Sequence, residues 1–486
     1  LNAAASQPIL ALRGGGAIEG DDIYALAATA TGIRAEKRLS NGLHVIKEFT
    51  VTSNYLLRVT TSLANRGAAP IAVPEHEWVV GLGAPISLED ESTLLGVYWQ
   101  SDAGIEHVDV GWFDNRALGC FPGTPRVHYS AGHTNVQWAA THNQFFALAL
   151  IPDTPAARVL ATRTNLPPPT PAQLAASPSA HPRPFGFQTS LSFTGAILAP
   201  GQVLDRAFHL YAGPKEYNTL ARISTQLKTN LDSVMGFDTG FGGSVFGFFA
   251  KLLLLSMNGL HSWNMPYAIT IIVITVIIKL LFWPLTTAST RSMKRMAALQ
   301  PQMKALQEKY KDDPAKMNRK LMEFMKENKV NPMGGCLPML LQIPVFIGFF
   351  TMVRSAIELR GAQFLWACDL SRSDTIFVIP GVNIPVNPMP LLMGATMIWQ
   401  ARLTPVAPGM DPVQQKIMKY MPLIFIVFLY NYSAGLTLYW TVQNLLTIAQ
   451  MKLTRTQDAA ADTPTPAAAS AKPAKPAAPG PSRKKK

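Results

Sequence analysis

YAITIIVITVIIKLLFWPL, from Tyr267 to Leu285, is the stretch whose reading decides the fold. An apolar run of this length spans the hydrocarbon core of a bilayer, so the lone cation inside it, Lys279, carries a cost that must be compensated. Position alone leaves two compensations open. Lys279 either faces a water-accessible cavity between helices and attracts acidic groups there, or it snorkels to a headgroup layer, because Thr286 lies only about 10 Å further along a helix.

Outward from this run the apolar segments recur. Cys336 opens CLPMLLQIPVFIGFFTMV, and Met389 to Trp399, Ile417 to Tyr430 and Leu436 to Met451 follow. Several fall short of twenty residues and carry Pro338, Pro344, Pro390 or Pro422, which implies kinks, tilt or a thinned bilayer. The pattern predicts five crossings at 266–286, 336–355, 388–403, 415–432 and 434–453. Upstream, 245–263 is apolar apart from Lys251 and His261. It is expected as an interfacial amphipathic helix within a linker, 216–265, with Trp263 at headgroup level. A short buried helix of the preceding domain is the alternative.

Charge orients the chain. Residues 1–215 carry 14 Lys/Arg and 16 Asp/Glu, so the remainder of the 43 and 30 is 29 and 14, and the net +13 belongs to the second half. The connection 286–335 alone holds eleven Lys/Arg against five acids, and the chain closes on Arg483-Lys484-Lys485-Lys486. By the positive-inside rule both are cytoplasmic, which sends residues 1–215 to the outside. Between 287 and 332 the apolar positions Met293, Met296, Leu299, Met303, Leu306 and Tyr310 step by three and four. Asp313-Pro314 then starts a second helix. A cytoplasmic helical hairpin follows. Its methionine stripe is either an adaptable surface for apolar peptide or the seam between the two helices. The Ala/Pro/Lys-rich tail, 454–486, is expected to be disordered.

The first half reads as β structure. Residues 43–64 give two β-rich runs flanking Ser53-Asn54, preceded by Asn41-Gly42, and predict a hairpin. Short runs at 93–99, 107–112, 144–151 and 187–198, punctuated by Pro and Gly, predict an antiparallel sandwich, with 164–184 as a surface loop. The fold class is therefore α+β, an antiparallel β-sandwich followed by a five-helix membrane core. Metal chemistry finds no support: His76-Glu77 resembles the start of a zinc-protease motif, but Val80 stands where the second histidine belongs. Cys120, Cys336 and Cys368 are odd in number and scattered, so no disulfide framework is suggested. No phosphate-binding loop is present, and no histidine follows His261, which disfavours an intramembrane hydrolase. The chain opens at Leu1 without Met or a signal sequence, which leads to the expectation of a preceding segment.

Four motifs in order, FWPLT at 282–286, KVNPMGGCLPMLLQIPVF at 329–346, DPVQQKIMKYMP at 411–422 and SAGLTLYWTVQNLLTIAQ at 433–450, make the chain resemble the bacterial YidC family of the Oxa/Alb superfamily. The resemblance is close over 245–453 and looser over the β half. It implies a membrane protein insertase and chaperone of the bacterial inner membrane, with a periplasmic β domain and a family amino-terminal helix that this chain lacks. It also implies a positively charged groove open to cytoplasm and lipid. Lys279 takes the place of a residue that is often Arg, a change that keeps charge but loses bidentate carboxylate recognition. Thr275, Gln342, Gln443, Asn444 and Thr447 are expected to hydrate the groove, with Tyr439 and Trp440 beside the path of the incoming segment. For Thr275, Gln443 and Thr447, ordinary interhelical hydrogen bonding is the alternative. The hairpin is expected to act through Arg291, Lys294 and Arg295, with Met293, Met296 and Met303. Expected partners are nascent membrane proteins, the SecYEG translocon, the ribosome through hairpin and tail, and anionic lipids, with the chain working as a monomer. No cofactor, metal or catalytic residue is expected. A small-molecule secondary transporter is the rival reading.

Overall fold

A computed structural model of the chain describes residues 7–88, 90, 92–116, 121, 123–177, 184–238, 243–328, 337–404 and 412–461. The sequence motif around 329–336, Cys120, Cys336 and the tail beyond 461 lie outside the described residues, as do the side chains of Met293 and Lys294.

The β half is built around two large antiparallel sheets, with Ile71–Val73 and Ala196–Leu198 pairing as a small third. One runs in the order Leu12–Arg13, His76–Gly83, Phe185–Phe193, Arg158–Asn165, His128–Ala131. The other runs Ala25–Ala28, Gly32–Arg38, Leu43–Ser53, Leu56–Asn65, Val203–Pro214, Phe146–Pro152, Trp138–His142, Gly96–Ser101, Gly104–Asp109. Alternation on each strand sends one set of side chains inward. Val45, Val59, Ala139, Leu150 and Phe208 of the larger sheet meet Trp78, Val80, Phe187 and Leu191 of the smaller in one buried cluster. The predicted hairpin is present, with its turn at Asn54–Tyr55, one residue beyond the expected place. Both residues take left-handed φ, 52° and 63°, as a two-residue hairpin turn requires.

Two short helices interrupt the expected pattern. The run 107–112 stops being strand at Asp109, whose carboxylate accepts from the Trp112 amide at 3.1 Å and starts α1 (Val110–Asp114). The loop 164–184 holds α2 (Pro171–Ala176), started by a Thr170–Gln173 capping box.

The second half is helical: α3 (Tyr217–Leu227), α4 (Gly243–His261), α5 (Tyr267–Leu281), α6 (Trp283–Ala298), α7 (Gln300–Lys309), α8 (Pro314–Glu327), α9 (Leu337–Ser355), α10 (Pro388–Leu403), α11 (Pro412–Leu429) and α12 (Ala434–Ala461). The expected single span 266–286 is instead a bent pair. α5 and α6 meet at 58°, because Pro284 has no N–H for the preceding turn and its ring crowds that turn's carbonyl. The first arm of the hairpin therefore begins at Trp283 rather than 287. It breaks again at Leu299, just ahead of Pro301, while α8 starts as expected with Asp313 accepting from the Lys316 amide at 3.0 Å. Met303 and Leu321 are buried where α7 packs on α8, the arrangement of a seam between the arms. α12 runs eight residues into the segment expected as disordered tail. Its last residues, MKLTRTQDAAA, are mostly good helix formers with no breaker before Pro464.

Among the described residues, α4 alone is long and apolar enough to cross a bilayer unaided, and the bent α5–α6 pair passes when counted together. The described apolar parts of α9 and α11, Leu340–Ser355 and Tyr420–Leu429, are shorter. α4 packs its Gly247, Ala250, Leu253, Leu254 and Met257 stripe inward, yet its opposite face exposes Val245, Phe248, Leu252 and Leu255. A helix apolar all round belongs in an apolar surrounding.

One hydrophobic cluster joins the two halves. Tyr98, Trp138 and Tyr211 of the larger sheet, Leu231 and Val234 of the linker, Leu253 of α4, Ile271 of α5, Phe349 of α9 and Tyr439 of α12 all belong to it. Polar ties reinforce it. The Arg372 guanidinium reaches Asp90 at 3.0 Å and Ser87 at 2.9 Å, and Asn258 of α4 donates to Glu358 at 3.1 Å just past the end of α9.

Candidate functional site: a buried lysine among polar side chains

Lys279 stands in the last turn of α5, where the bend at Phe282 ends the helix and leaves its negative dipole end close to the ammonium. The side chain is only 5% exposed. Its Nζ donates to Thr447 Oγ1 on α12 at 2.9 Å, and Thr447 in turn donates to the Gln443 carbonyl at 2.7 Å. From there the polar chain crosses to α9. Gln443 Nε2 donates to Gln342 Oε1 at 3.0 Å, and Gln342 Nε2 donates to the Tyr439 hydroxyl at 2.6 Å. Five of the eight expected groove residues, Lys279, Thr447, Gln443, Gln342 and Tyr439, thus form one connected array between α5, α9 and α12.

Beside the array lies a recess lined by Ile278, Lys279, Phe282, Thr286, Leu341, Gln342 and Gln443. Its volume of about 10 Å³ is at the threshold for holding one water. The recess is a narrow slot beside the expected groove residues. Gln443 Oε1 is buried there without a hydrogen-bond partner, an acceptor available to an incoming N–H or O–H.

The other expected residues point elsewhere. Thr275 is fully buried and donates to the Ile271 carbonyl of its own helix at 2.7 Å, so its polarity is consumed locally. Asn444 turns to α10, donating to Thr396 Oγ1 at 3.1 Å and approaching the Met393 carbonyl at 3.5 Å. Trp440 packs edge-on against Phe346, with ring centroids 4.5 Å apart, and tilts against Phe425 at 5.2 Å. Tyr439 stacks on Phe349 at 4.2 Å. On α6, Arg291 and Arg295 are exposed and Met296 is buried.

Gln450, Thr286 and Thr287 escaped the sequence reading. Gln450 Nε2 on α12 donates to Thr286 Oγ1 at 2.7 Å and Thr287 Oγ1 at 3.0 Å, and approaches the Trp283 carbonyl at 3.3 Å. It holds α6 at the bend. Gln443, Thr447 and Gln450 are spaced by four and three, a polar face on α12 that was there to be read.

His76 lies buried in a strand, its Nδ1 facing the Pro74 carbonyl at 3.1 Å, so the zinc-helix likeness dissolves. Among the described residues no group of three or more His, Cys, Asp and Glu is placed to hold a metal.

Comparison with known proteins gives a consistent family. Residues 24–253 match the family described as YidC periplasmic domain, and 259–461 match that described as 60Kd inner membrane protein. The protein named membrane protein insertase YidC in Pelobacter propionicus is 32% identical over 443 residues, covering 89% of this chain and 74% of that one. Its namesake in Paraburkholderia xenovorans is 33% identical over 421 residues, 86% of this chain and 68% of the relative. The one from Syntrophus aciditrophicus is 38% identical over 320 residues, 65% of this chain; there the match spans 51% of the relative's length.

Proposed function

This chain belongs to the YidC family, and from that premise we propose that it is a membrane protein insertase of the bacterial inner membrane, with residues 1–215 as a periplasmic domain and 266–453 as the insertase core. The carrying observation is the Lys279 ammonium, held between α5, α9 and α12 by Thr447 at 2.9 Å beside a polar slot.

The topology of contacts supports one orientation. The basic helices α6 to α8 join the Lys279 end of α5 to the start of α9, whereas the β half is tied by Arg372–Asp90 to the segment beyond the far end of α9. Hairpin and β half thus sit at opposite ends of the core, as a cytoplasmic hairpin and an external domain require. The middle and the carboxyl-terminal part of α4 both face the β-domain side: Lys251 lies 4.9 Å from the centre of the Tyr217 ring, and Asn258 meets Glu358. α4 therefore lies along the outer part of the core without crossing. The five crossings are the bent α5–α6 pair, α9, α10, α11 and α12.

The action is physical rather than covalent. A client's acidic flank enters from the cytoplasmic side and its carboxylates are drawn to Lys279, displacing the Gln342–Gln443 bond, while a backbone N–H of the flank donates to the unpaired Gln443 Oε1. Its apolar segment leaves sideways into lipid at roughly 25 cal/mol per Å² of apolar surface removed from water. Membrane potential assists an acidic flank moving outward by about 2.3 kcal/mol per charge per 100 mV. The exposed Arg291 and Arg295 and the basic tail are the surfaces for ribosomal RNA and anionic lipid, and the chain works as a monomer, alone or beside the SecYEG translocon.

The test is insertion of a single-span client with an acidic external flank, in cells depleted of the native insertase and supplied with wild type, Lys279→Arg or Lys279→Ala at equal expression. Activity is expected to persist with Arg and fall with Ala, and neutralising the client's flank should erase the difference. Full insertion of every client by Lys279→Ala would overturn the role of the lysine. Solute flux through client-free proteoliposomes would instead favour a transporter.

A further inference from the structure

Between α9 and α10 the chain makes two tight turns that push apolar side chains outward. At the first, Phe364 and Ala367 exchange backbone hydrogen bonds of 2.9 Å, closing a turn of Leu365 and Trp366. Leu365 is held there at φ 53°, a left-handed conformation unusual for a leucine, and is 74% exposed. At the second, Phe377–Ile379 pairs antiparallel with Ile384–Val386, placing Phe377 opposite Val386 and Ile379 opposite Ile384 on one face. Phe377, Ile379 and Ile384 are exposed, and Val382 at the hairpin tip is 64% exposed. From Thr375 to Pro388 the sequence, TIFVIPGVNIPVNP, contains no ionisable side chain.

The base of this lobe is fixed by polar groups directed inward. Asp374 is buried, accepts from Trp366 Nε1 at 2.8 Å and from the Met389 amide at the start of α10 at 2.6 Å. Asn387 accepts from Thr375 Oγ1 at 2.7 Å and donates to the Tyr430 carbonyl at 2.8 Å, while the Tyr430 hydroxyl donates to the Pro385 carbonyl at 2.7 Å. The hairpin is thereby pinned to the start of α10 and the end of α11. This uncharged, outward apolar face stands at the end of apolar helices that themselves expose residues such as Leu391 and Leu392 of α10. Water is a poor partner for a cluster of exposed apolar side chains.

We propose that the Leu365–Trp366 turn and the Phe377–Val386 hairpin form a membrane-dipping lobe whose apolar side chains are covered by the lipids of the outer leaflet. Trp366, with its ring partly exposed and its N–H bound to Asp374, sits at the headgroup boundary, where an amphipathic ring belongs. The lobe fixes the height of the external ends of α9, α10 and α11 in the bilayer. The inference rests on the proposed reading of the helical half as membrane-embedded.

The experiment uses the full chain in phosphatidylethanolamine/phosphatidylglycerol vesicles, with Cys120, Cys336 and Cys368 replaced by Ser and one environment-sensitive fluorophore attached at Val382→Cys, Val427→Cys or Ile197→Cys. Val427 is exposed on α11 and Ile197 is exposed in the β half. Nitroxide lipids labelled near the headgroup or deep in the chain supply the quenchers. The Val382 probe is expected to lose most of its intensity to the shallow quencher, the Val427 probe to be quenched by lipid nitroxides as a bilayer-facing residue of α11, and the Ile197 probe by neither quencher. A Val382 probe behaving like that at Ile197, while Val427 is quenched, overturns the lobe and leaves the membrane core standing. A blue-shifted Val382 probe that no nitroxide reaches also overturns it, since protein rather than lipid then covers the hairpin. Absence of quenching at Val427 overturns the membrane reading itself.

Discussion

The Lys279 ammonium donates a 2.9 Å hydrogen bond to the Thr447 hydroxyl, joining two helices whose residues stand 168 positions apart. Thr447 can accept that bond because its own proton goes to the Gln443 carbonyl at 2.7 Å. Thr447→Val preserves shape and removes the acceptor, leaving a largely buried cation with a lost partner. The first thermal transition in detergent should report a destabilisation of about 1–3 kcal/mol, with Thr447→Ser close to wild type. Equal transitions for all three proteins would mean that the lysine finds its stabilisation elsewhere.

Gly348 marks a close approach of α9 to α4. A Cβ at that position would fall 2.6 Å from Phe249 Cβ and 3.0 Å from the Ala250 amide nitrogen, and the latter, being backbone, cannot swing aside. Gly348→Val should force the helices apart and cost about 1–3 kcal/mol, in the range of overpacked cores. A disulfide engineered between the two helices would report the separation. Unimpaired cross-linking in the valine variant would show that α4 is not seated on α9.

The Arg372–Asp90 pair, at 3.0 Å, links the connection between α9 and α10 to the β domain. Asp90 also accepts from the Ile86 and Ser87 amides at 2.7 and 3.0 Å, so its loop stays organised when Arg372 is removed. Arg372→Met should therefore loosen the interface without unfolding either half, and limited proteolysis between the two halves should accelerate. With the Arg372 side chain 29% exposed, solvent screening limits the coupling with Asp90→Asn to about 1 kcal/mol in a double-mutant cycle. Additive effects of the two substitutions would assign the contact no role in docking.

What was legible in the sequence was local. Asp313 caps α8 where the cap was read, and the turn-flanked runs at 43–64 pair as expected. Which strands share a sheet was not legible, because it depends on pairings such as that of Val203–Pro214 with Leu56–Asn65 across more than a hundred residues. In the site, the α12 face of Gln443, Thr447 and Gln450 follows from spacing. Asn444 is one residue and about 100° round the helix from Gln443, which turns it to Thr396 on α10. Polarity alone did not reveal that a neighbouring helix, rather than the slot, would claim it. The bend at Phe282 had its signal in Pro284, but the hydrophobic run continued through it and concealed the break.

The β domain should become more stable as pH rises through the alkaline range. Lys215 is buried beside His107 and His142, whose rings approach at 3.2 Å between their Nε2 atoms, and burial lowers its pKa to about 7. Lys47, buried against the Tyr24 ring at 4.1 Å, is lowered to about 7 as well, by burial first and then by the nearby charge of Lys37. In the unfolded chain both bind a proton up to about pH 10.4. Between pH 7 and that value the unfolded state holds more protons than the folded one, so raising pH favours folding by about 1.4 kcal/mol per pH unit for each lysine. Below pH 7 the lysines are protonated in both states and this slope ends. Burial lowers His107 to about 4, so a histidine contribution of the same sign takes over from pH 4 to about 6.5. Thermal unfolding of the full chain from pH 7 to 9.5, followed through the β-sheet signal, should show a rising transition temperature, with roughly half the slope removed in Lys215→Met. A flat profile in the wild type would mean that both lysines keep their protons in the folded domain, and that an unseen water or anion compensates them.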